Sequence, residues 1–163
     1  MNCRRATPED AEAIARIYNE GIDDRVATFE TRQRQTDEVR NWFDGVHPIV
    51  VVEDGGDVVA FASAFRYRDR ECYKGIAETS VYVARAARNR GAGKIALEGL
   101  IRAAEEAGFW KLLSRVFPEN AASRGLIRSL GFREVGVYEK HGQLDGVWRD
   151  VVIVERLIPS NLR

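Results

Sequence analysis

The sequence predicts an α+β domain, a mostly antiparallel sheet flanked by about four helices. Three observations carry that prediction. Apolar residues switch repeatedly between the two-residue period of strands and the 3.6-residue period of helices. Runs rich in β-branched residues, such as Ile49-Val50-Val51-Val52, stand between helical stripes. Asp54-Gly55-Gly56-Asp57 joins two strand patterns as a tight hairpin, which favours antiparallel pairing. In chain order the pattern reads strand, two helices, three strands, helix, strand, helix, two strands. The length of 163 residues fits one domain at roughly 150 residues per domain, so residues 1–163 are expected to fold as a single unit.

Each element has a local reason. Thr7-Pro8-Glu9-Asp10 reads as an N-cap, a proline at the first helical position and acids in the first turn. Ala11, Ile14, Ala15, Ile17 and Tyr18 then give a helical stripe, and Gly21 is expected to stop it. A second short helix is expected from Thr36 through Val39, Trp42 and Phe43 to Gly45. Residues 49–53 and 58–66 form the hairpin, and residues 76–83 the next strand. A helix over about 91–107 turns Ile95, Leu97, Leu100, Ile101 and Ala104 inward and is capped by Gly108. Residues 111–116 return as a strand, and Pro118-Glu119-Asn120 opens a helix that ends at Leu130-Gly131. Residues 133–140 and 147–157 close the chain as a hairpin around 142–146.

Composition excludes several classes. The 25 Lys+Arg and 25 Asp+Glu cancel to a net charge of +0, which argues against a globally basic nucleic-acid binder. The longest apolar runs fall far short of the roughly 18 residues that a membrane span needs. Two cysteines, Cys3 and Cys72, form no CxxC pair, and the two histidines, His47 and His141, leave no material for a zinc site. No metal is expected. A cytoplasmic protein with reduced thiols fits this pattern.

The segment from Val83 to Lys94 carries the chemistry. Residues 85–94 hold four cations and no acid, between a strand and a helix whose first N–H groups lack partners. Gly91 and Gly93 remove side chains that would keep an anion from the main chain. Dipole, free N–H groups and nearby cations suit a phosphate or pyrophosphate; the alternative is a solvated basic helix start. The segment is not a P-loop, because GxxxxGK[ST] is absent, and it lacks the third glycine of GxGxxG.

Arg88-x-x-Gly91-x-Gly93 resembles the Q/R-x-x-G-x-G/A signature of the GNAT acetyltransferases. Asn120-Ala121-Ala122-Ser123 with Leu126 and Gly131-Phe132 is similar to their N-x-x-[AS]-x-x-L-[YH]-x-x-x-G-F segment. Glu78-Thr79-Ser80-Val81-Tyr82-Val83 resembles the E-x-S-V-Y-V strand of the phosphinothricin and methionine sulfoximine acetyltransferase subfamily. The opening Arg5–Asp10, Ile17-Tyr18-Asn19 and the closing Lys140-His141-Gly142 with Trp148-Arg149-Asp150 fit it too. The turn Gly142-Gln143-Leu144-Asp145-Gly146 is most like the arsinothricin N-acetyltransferases.

The resemblance implies a GNAT-type mixed sheet and acetyl-CoA as co-substrate. Val81, Tyr82 and Val83 would lie along the pantetheine arm, with backbone bonds from Val81 and Val83. Arg88, Asn89, Arg90, Gly91, Ala92, Gly93 and Lys94 would hold the pyrophosphate, and Asn120 with Ser123 would reach the cofactor nearer its reactive end. The acceptor would be the α-amine of a small glutamate analogue, and the family habit is a homodimer.

Acetyl transfer needs an unprotonated amine, and a carboxylate can remove its proton. Glu78 matches the subfamily's proposed base; a strand-end salt bridge is the alternative. It alternates with Ser80 and Tyr82 on one strand face, against Ala77, Thr79, Val81 and Val83 on the other. Many GNAT enzymes have a tyrosine where this chain has Ile127, so that acid is missing; Tyr138 is a weak substitute. Arg68 and Tyr73 match substrate-side positions, where a guanidinium suits a carboxylate, phosphinate or arsinate. Phe29 lies where the family has its substrate lid, and is alternatively plain core. His141 and Trp148 read as a dimer contact or core edge. Cys72 has no nearby histidine to activate it, which favours direct transfer. Other acceptors (a peptide N-terminus, a polyamine, an aminoglycoside) and a silent CoA-binding module are the competing readings.

Overall fold

A computed structural model describes residues 1–163. Seven strands form one sheet: β1 (Asn2–Arg5), β2 (Ile49–Asp54), β3 (Asp57–Arg66), β4 (Ile76–Val83), β5 (Lys111–Val116), β6 (Arg133–Leu144) and β7 (Val147–Leu157). Four α-helices accompany them: α1 (Ala11–Asp24), α2 (Thr36–Arg40), α3 (Ala92–Glu106) and α4 (Ala121–Ser129). The strand order is β1-β2-β3-β4-β5-β7-β6, and every neighbouring pair is antiparallel except β4 with β5. The expected α+β architecture, mostly antiparallel with four helices, is the one observed.

Two cores fix the helices to opposite faces. α3 lies over Val50, Ala62, Ala77 and Leu112 through Leu97 and Leu100. α1 and α2 lie over Val51 and Phe61 through Ile14, Ile17 and Val39. Each of these large side chains is essentially inaccessible, and burying one contributes about 1.5–3 kcal/mol. β4 therefore sends Val81 and Val83 toward α3, and Glu78, Ser80 and Tyr82 toward the α1 side.

The parallel β4–β5 ladder is short. It runs only from Ile76 opposite Lys111 to Glu78 opposite Leu113. Side-chain hydroxyls then take over: Thr79 Oγ1 donates to the Leu113 carbonyl at 3.2 Å, and Ser114 Oγ donates to the Thr79 carbonyl at 3.0 Å. Beyond these two bonds the strands part.

Four local readings are corrected. Pro8–Asp10 forms a 3₁₀ turn ahead of α1, and the Asp10 carboxylate accepts the Thr7 N–H at 2.8 Å. Gly21 does not stop α1, which continues to Asp24 and ends on left-handed Arg25 (φ 59°). Gly21 is instead a contact residue: a Cβ there would lie 2.6 Å from the Tyr82 ring. α2 ends at Arg40, because Asn41–Gly45 leave the helix before Trp42 and Phe43 pack. β6 extends to Leu144, and the closing turn is the tight pair Asp145 (φ 51°) and Gly146 (φ 78°). A register shift between Tyr138 and Gly142, with left-handed Lys140, absorbs the extra residues.

Gly21→Val is expected to lower stability by about 1–3 kcal/mol through overpacking against Tyr82. Urea unfolding measures it; an unchanged midpoint would show that the ring moves aside freely.

Candidate active site

α3 begins on Gly91, in the left-handed conformation (φ 88°), with no acid in the first turn. The first intrahelical acceptor bond goes from Ile95 N–H to the Gly91 carbonyl at 3.2 Å. The N–H groups of Ala92, Gly93 and Lys94 are therefore the free donors of the helix start. Gly91 meets nothing within 4 Å of a notional Cβ, whereas one on Gly93 would approach Val83 Cγ2 to 3.3 Å and Leu126 Cδ2 to 3.4 Å. One glycine satisfies a positive φ, and the other lets the helix start seat closely between β4 and α4.

The surrounding cations are partly engaged. Arg88 donates to the Val83 carbonyl at 3.3 Å and pairs with Asp24 at 2.6 Å. Arg85 also pairs with Asp24, at 2.8 Å, and these two guanidinium groups, Arg85 first, hold the Asp24 carboxyl below its usual range. Arg90 pairs with Asp54 at 2.7 Å. Asn89 is left-handed (φ 62°), and Lys94 is exposed at the mouth of the turn.

Between the parted strands lies a narrow cavity of about 60 Å³, lined among others by Val81, Tyr82, Ser114, Asn120, Ser123 and Ile127. The Thr79 carbonyl points into this gap, toward Ser114, and the Val83 carbonyl takes Arg88. By the strand's two-residue period, the main-chain N–H and C=O of Val81 face the same gap. Asn120 caps α4, accepting the Ser123 N–H at 3.1 Å and donating to the Val26 carbonyl at 3.4 Å.

On the α1 side the gap opens into a cleft of about 820 Å³. Tyr18, Trp42, Phe61 and Tyr82 form one wall, joined by edge-to-face, tilted and stacked contacts. Burial pushes the Tyr18 and Tyr82 hydroxyls upward in pKa. Phe29 and Phe117 form another wall at 5.0 Å, with the Arg149 guanidinium over Phe117. Glu78 sits where the cleft meets the narrow gap, its side chain 15% exposed, 3.1 Å from Arg115.

The fold thus gathers Glu78, Ser80, Tyr82 and Phe29 in the cleft and Val81, Asn120 and Ser123 along the gap. Arg68 and Tyr73 stand outside the cleft lining. Arg68 lies over the Tyr67 ring at 5.0 Å, and Tyr67 packs edge-on to Tyr73. Bonding to Tyr67 raises the Arg68 pKa, and Glu78 and Tyr138 add smaller contributions, so Arg68 is within electrostatic reach of the cleft. Sequence reading missed Arg115, Arg34, Trp42 and His141 as cleft residues. The only signal for Arg115 was its place in β5, one residue beyond the hydroxyl pair. Trp148 is exposed, and Ile127 is buried in the gap. No group of three His, Cys, Asp or Glu side chains is placed to hold a metal ion, and no helix is long and apolar enough to cross a membrane.

The model of the acetyltransferase (GNAT) family matches residues 14–132. The chain belongs to the GNAT acetyltransferase family. An L-methionine sulfoximine/L-methionine sulfone acetyltransferase of Pseudomonas aeruginosa is 32% identical, over 93% of this chain and 91% of its own. A GNAT-superfamily phosphinothricin acetyltransferase from Sinorhizobium meliloti, solved in complex with acetyl-CoA, superposes with a TM-score of 0.89 at 30% identity, covering 96% and 88% of the two chains. A ribosomal-protein-alanine N-acetyltransferase from Brucella melitensis superposes with a TM-score of 0.92 at 32% identity, covering 97% and 100%.

This GNAT enzyme is an acetyl-CoA-dependent N-acetyltransferase. Its residues fit that co-substrate on their own geometry: an acid-free helix start where Gly91 leaves open space for the diphosphate and Gly93, contrary to the expectation, serves close packing against Val83 and Leu126, and free main chain at Val81 beside a narrow gap for an extended arm. Gly93→Asp adds bulk against Val83 and a negative charge at the helix start. It is expected to weaken acetyl-CoA binding well over tenfold by calorimetry, from charge repulsion and close contact together; unchanged affinity would remove the helix start from the site.

Proposed function

We propose that residues 1–163 form one catalytic domain that acetylates the α-amine of a small glutamate-analogue amino acid. Phosphinothricin, methionine sulfoximine and arsinothricin are the candidate acceptors, and their acetylation would detoxify them and confer resistance. The observation that carries the reading is Glu78, a carboxylate at the junction between a cleft sized for a small molecule and a narrow gap with free main chain. The names of the Pseudomonas and Sinorhizobium relatives support the acceptor class.

Bound acetyl-CoA supplies a thioester-activated acetyl group. The helix start, with Arg88, Asn89, Arg90 and Lys94 around Gly91, Ala92 and Gly93, holds the diphosphate, while Val81 and Val83 align the arm. Glu78 takes the proton from the acceptor ammonium, directly or through a water. The Val81 N–H is available to the carbonyl oxygen on which charge develops. Ile127 offers no acid, and a thiol with a pKa near about 8.5 is a tolerable leaving group without one. Arg68, outside the cleft lining, serves the distal acidic group of the acceptor, with Tyr73 linked to it through the Tyr67 ring, and Phe29 covers the cleft.

The proposal includes a cytoplasmic homodimer. The closing hairpin exposes Val135, Val137, Tyr138, Val147 and Trp148, an apolar surface of the kind a second copy covers. A peptide N-terminus is the second acceptor reading, favoured by the Brucella neighbour.

A free-thiol assay with acetyl-CoA against glutamate analogues, polyamines and peptides tests the substrate class; preference for a peptide would overturn it. Glu78→Gln is expected to lower kcat by roughly 10²- to 10⁴-fold with acetyl-CoA affinity retained. Turnover close to normal at neutral pH would assign the base elsewhere. Arg68→Ala is expected to raise KM for an anionic amino acid and leave cofactor affinity alone; equal losses in both would indicate misfolding.

A further inference from the structure

Five acidic or basic side chains of Asp, Glu or Arg line the cleft: Glu30, Arg34, Asp44, Glu78 and Arg115. Three of them are satisfied within the segment between α1 and β2 and its turns. Arg34 pairs with Glu30 at 2.6 Å and Glu38 at 3.8 Å. Asp44 accepts the N–H groups of Val46 and His47 and faces the His47 ring at 2.6 Å. The remaining pair, Glu78 and Arg115, spans the fork between β4 and β5. The Arg115 side chain makes a single hydrogen bond, Nη2 to Glu78 Oε1 at 3.1 Å, although a guanidinium carries five N–H donors in a planar fork. It lines both the cleft and the narrow gap, and so stands where an acceptor amine must meet the acetyl group.

We propose that Arg115 recognises the α-carboxylate of the acceptor, which binds by inserting its ammonium–carboxylate pair between Glu78 and Arg115. This rests on the α-amino-acid reading above and names the residue that enforces it. An α-amino acid carries both charges on one carbon. It therefore fits side by side against a carboxylate and a guanidinium that already lie 3.1 Å apart. Binding exchanges one internal ion pair for two intermolecular ones, so neither protein charge is left alone as the cleft loses water. An amine without an adjacent carboxylate draws Glu78 away and offers the half-exposed Arg115 guanidinium no partner, so it forgoes the second ion pair that an α-amino acid makes. The contact also fixes which nitrogen faces Glu78, because the guanidinium fork binds a carboxylate in two bonds.

The test is free-thiol release with L-methionine sulfone and L-phosphinothricin, each compared with its α-carboxamide. For the unsubstituted enzyme, the carboxamide is expected to show a KM about tenfold or more above the acid, the range for losing a hydrogen bond to a charged group. Arg115→Leu is expected to raise KM for the acid by a similar factor while leaving KM for the carboxamide nearly unchanged, and Arg115→Lys to recover part of the loss. Thermal unfolding of each variant verifies the fold. Equal KM values for acid and carboxamide in the unsubstituted enzyme, or equal losses for both in Arg115→Leu, overturn the assignment of Arg115 alone. Absence of thiol release with any α-amino acid overturns the substrate class, and this assignment with it.

Discussion

The site depends on a parallel strand pair that stops after three rungs. A β-strand in the middle of a sheet has every main-chain donor and acceptor in use, and presents nothing to a ligand but side chains. β4 escapes this on one edge only. β3 pairs with it along its length, from Arg66 opposite Ala77 to Ala60 opposite Val83, which keeps the strand straight and anchored. On the other edge, the Thr79 and Ser114 hydroxyls close the fork, so the last ladder groups are not left without partners. The free main chain at Val81 is therefore a rigid edge and not a frayed one.

That rigidity extends to both ends of the gap. Leu97 and Leu100 hold α3 against the sheet, so the direction of its free N–H groups is set by core packing. Asp24, at the end of α1, gathers Arg85 and Arg88, and Asp54, in the β2–β3 hairpin, holds Arg90. Acids distant in sequence thus orient the basic turn. The net positive field at the helix start is smaller than the local run of cations implies.

The acceptor side is closed by residues from both ends of the chain. Phe29 lies against Phe117 and beneath Gly142, where an added Cβ would come within 3.0 Å of its ring. Arg25 reaches Asp145 at 3.0 Å. The segment after α1 and the turn of the closing hairpin therefore form one wall, opposite the aromatic wall of Tyr18, Trp42, Phe61 and Tyr82. His141 is exposed and lines the cleft.

The amino-acid sequence by itself determined the strand and helix order, the Gly55-Gly56 hairpin, the α3 start and the alternation that puts Glu78 opposite Val81. Each of these is local, set by periodicity or by a residue whose conformational range is narrow. Short-range signals misled where a contact outweighed a propensity: Gly21 passes through a helix because Tyr82 needs its space, and Gly142 sits inside a strand because Phe29 does. Only the tertiary structure decided that β4 and β5 part after Glu78, that Arg115 faces that carboxylate, and that Arg68 and Tyr73 stay outside the cleft lining. Those facts depend on which strands become neighbours and where their ladder ends, and neither periodicity nor composition encodes the pairing of residues 37 positions apart.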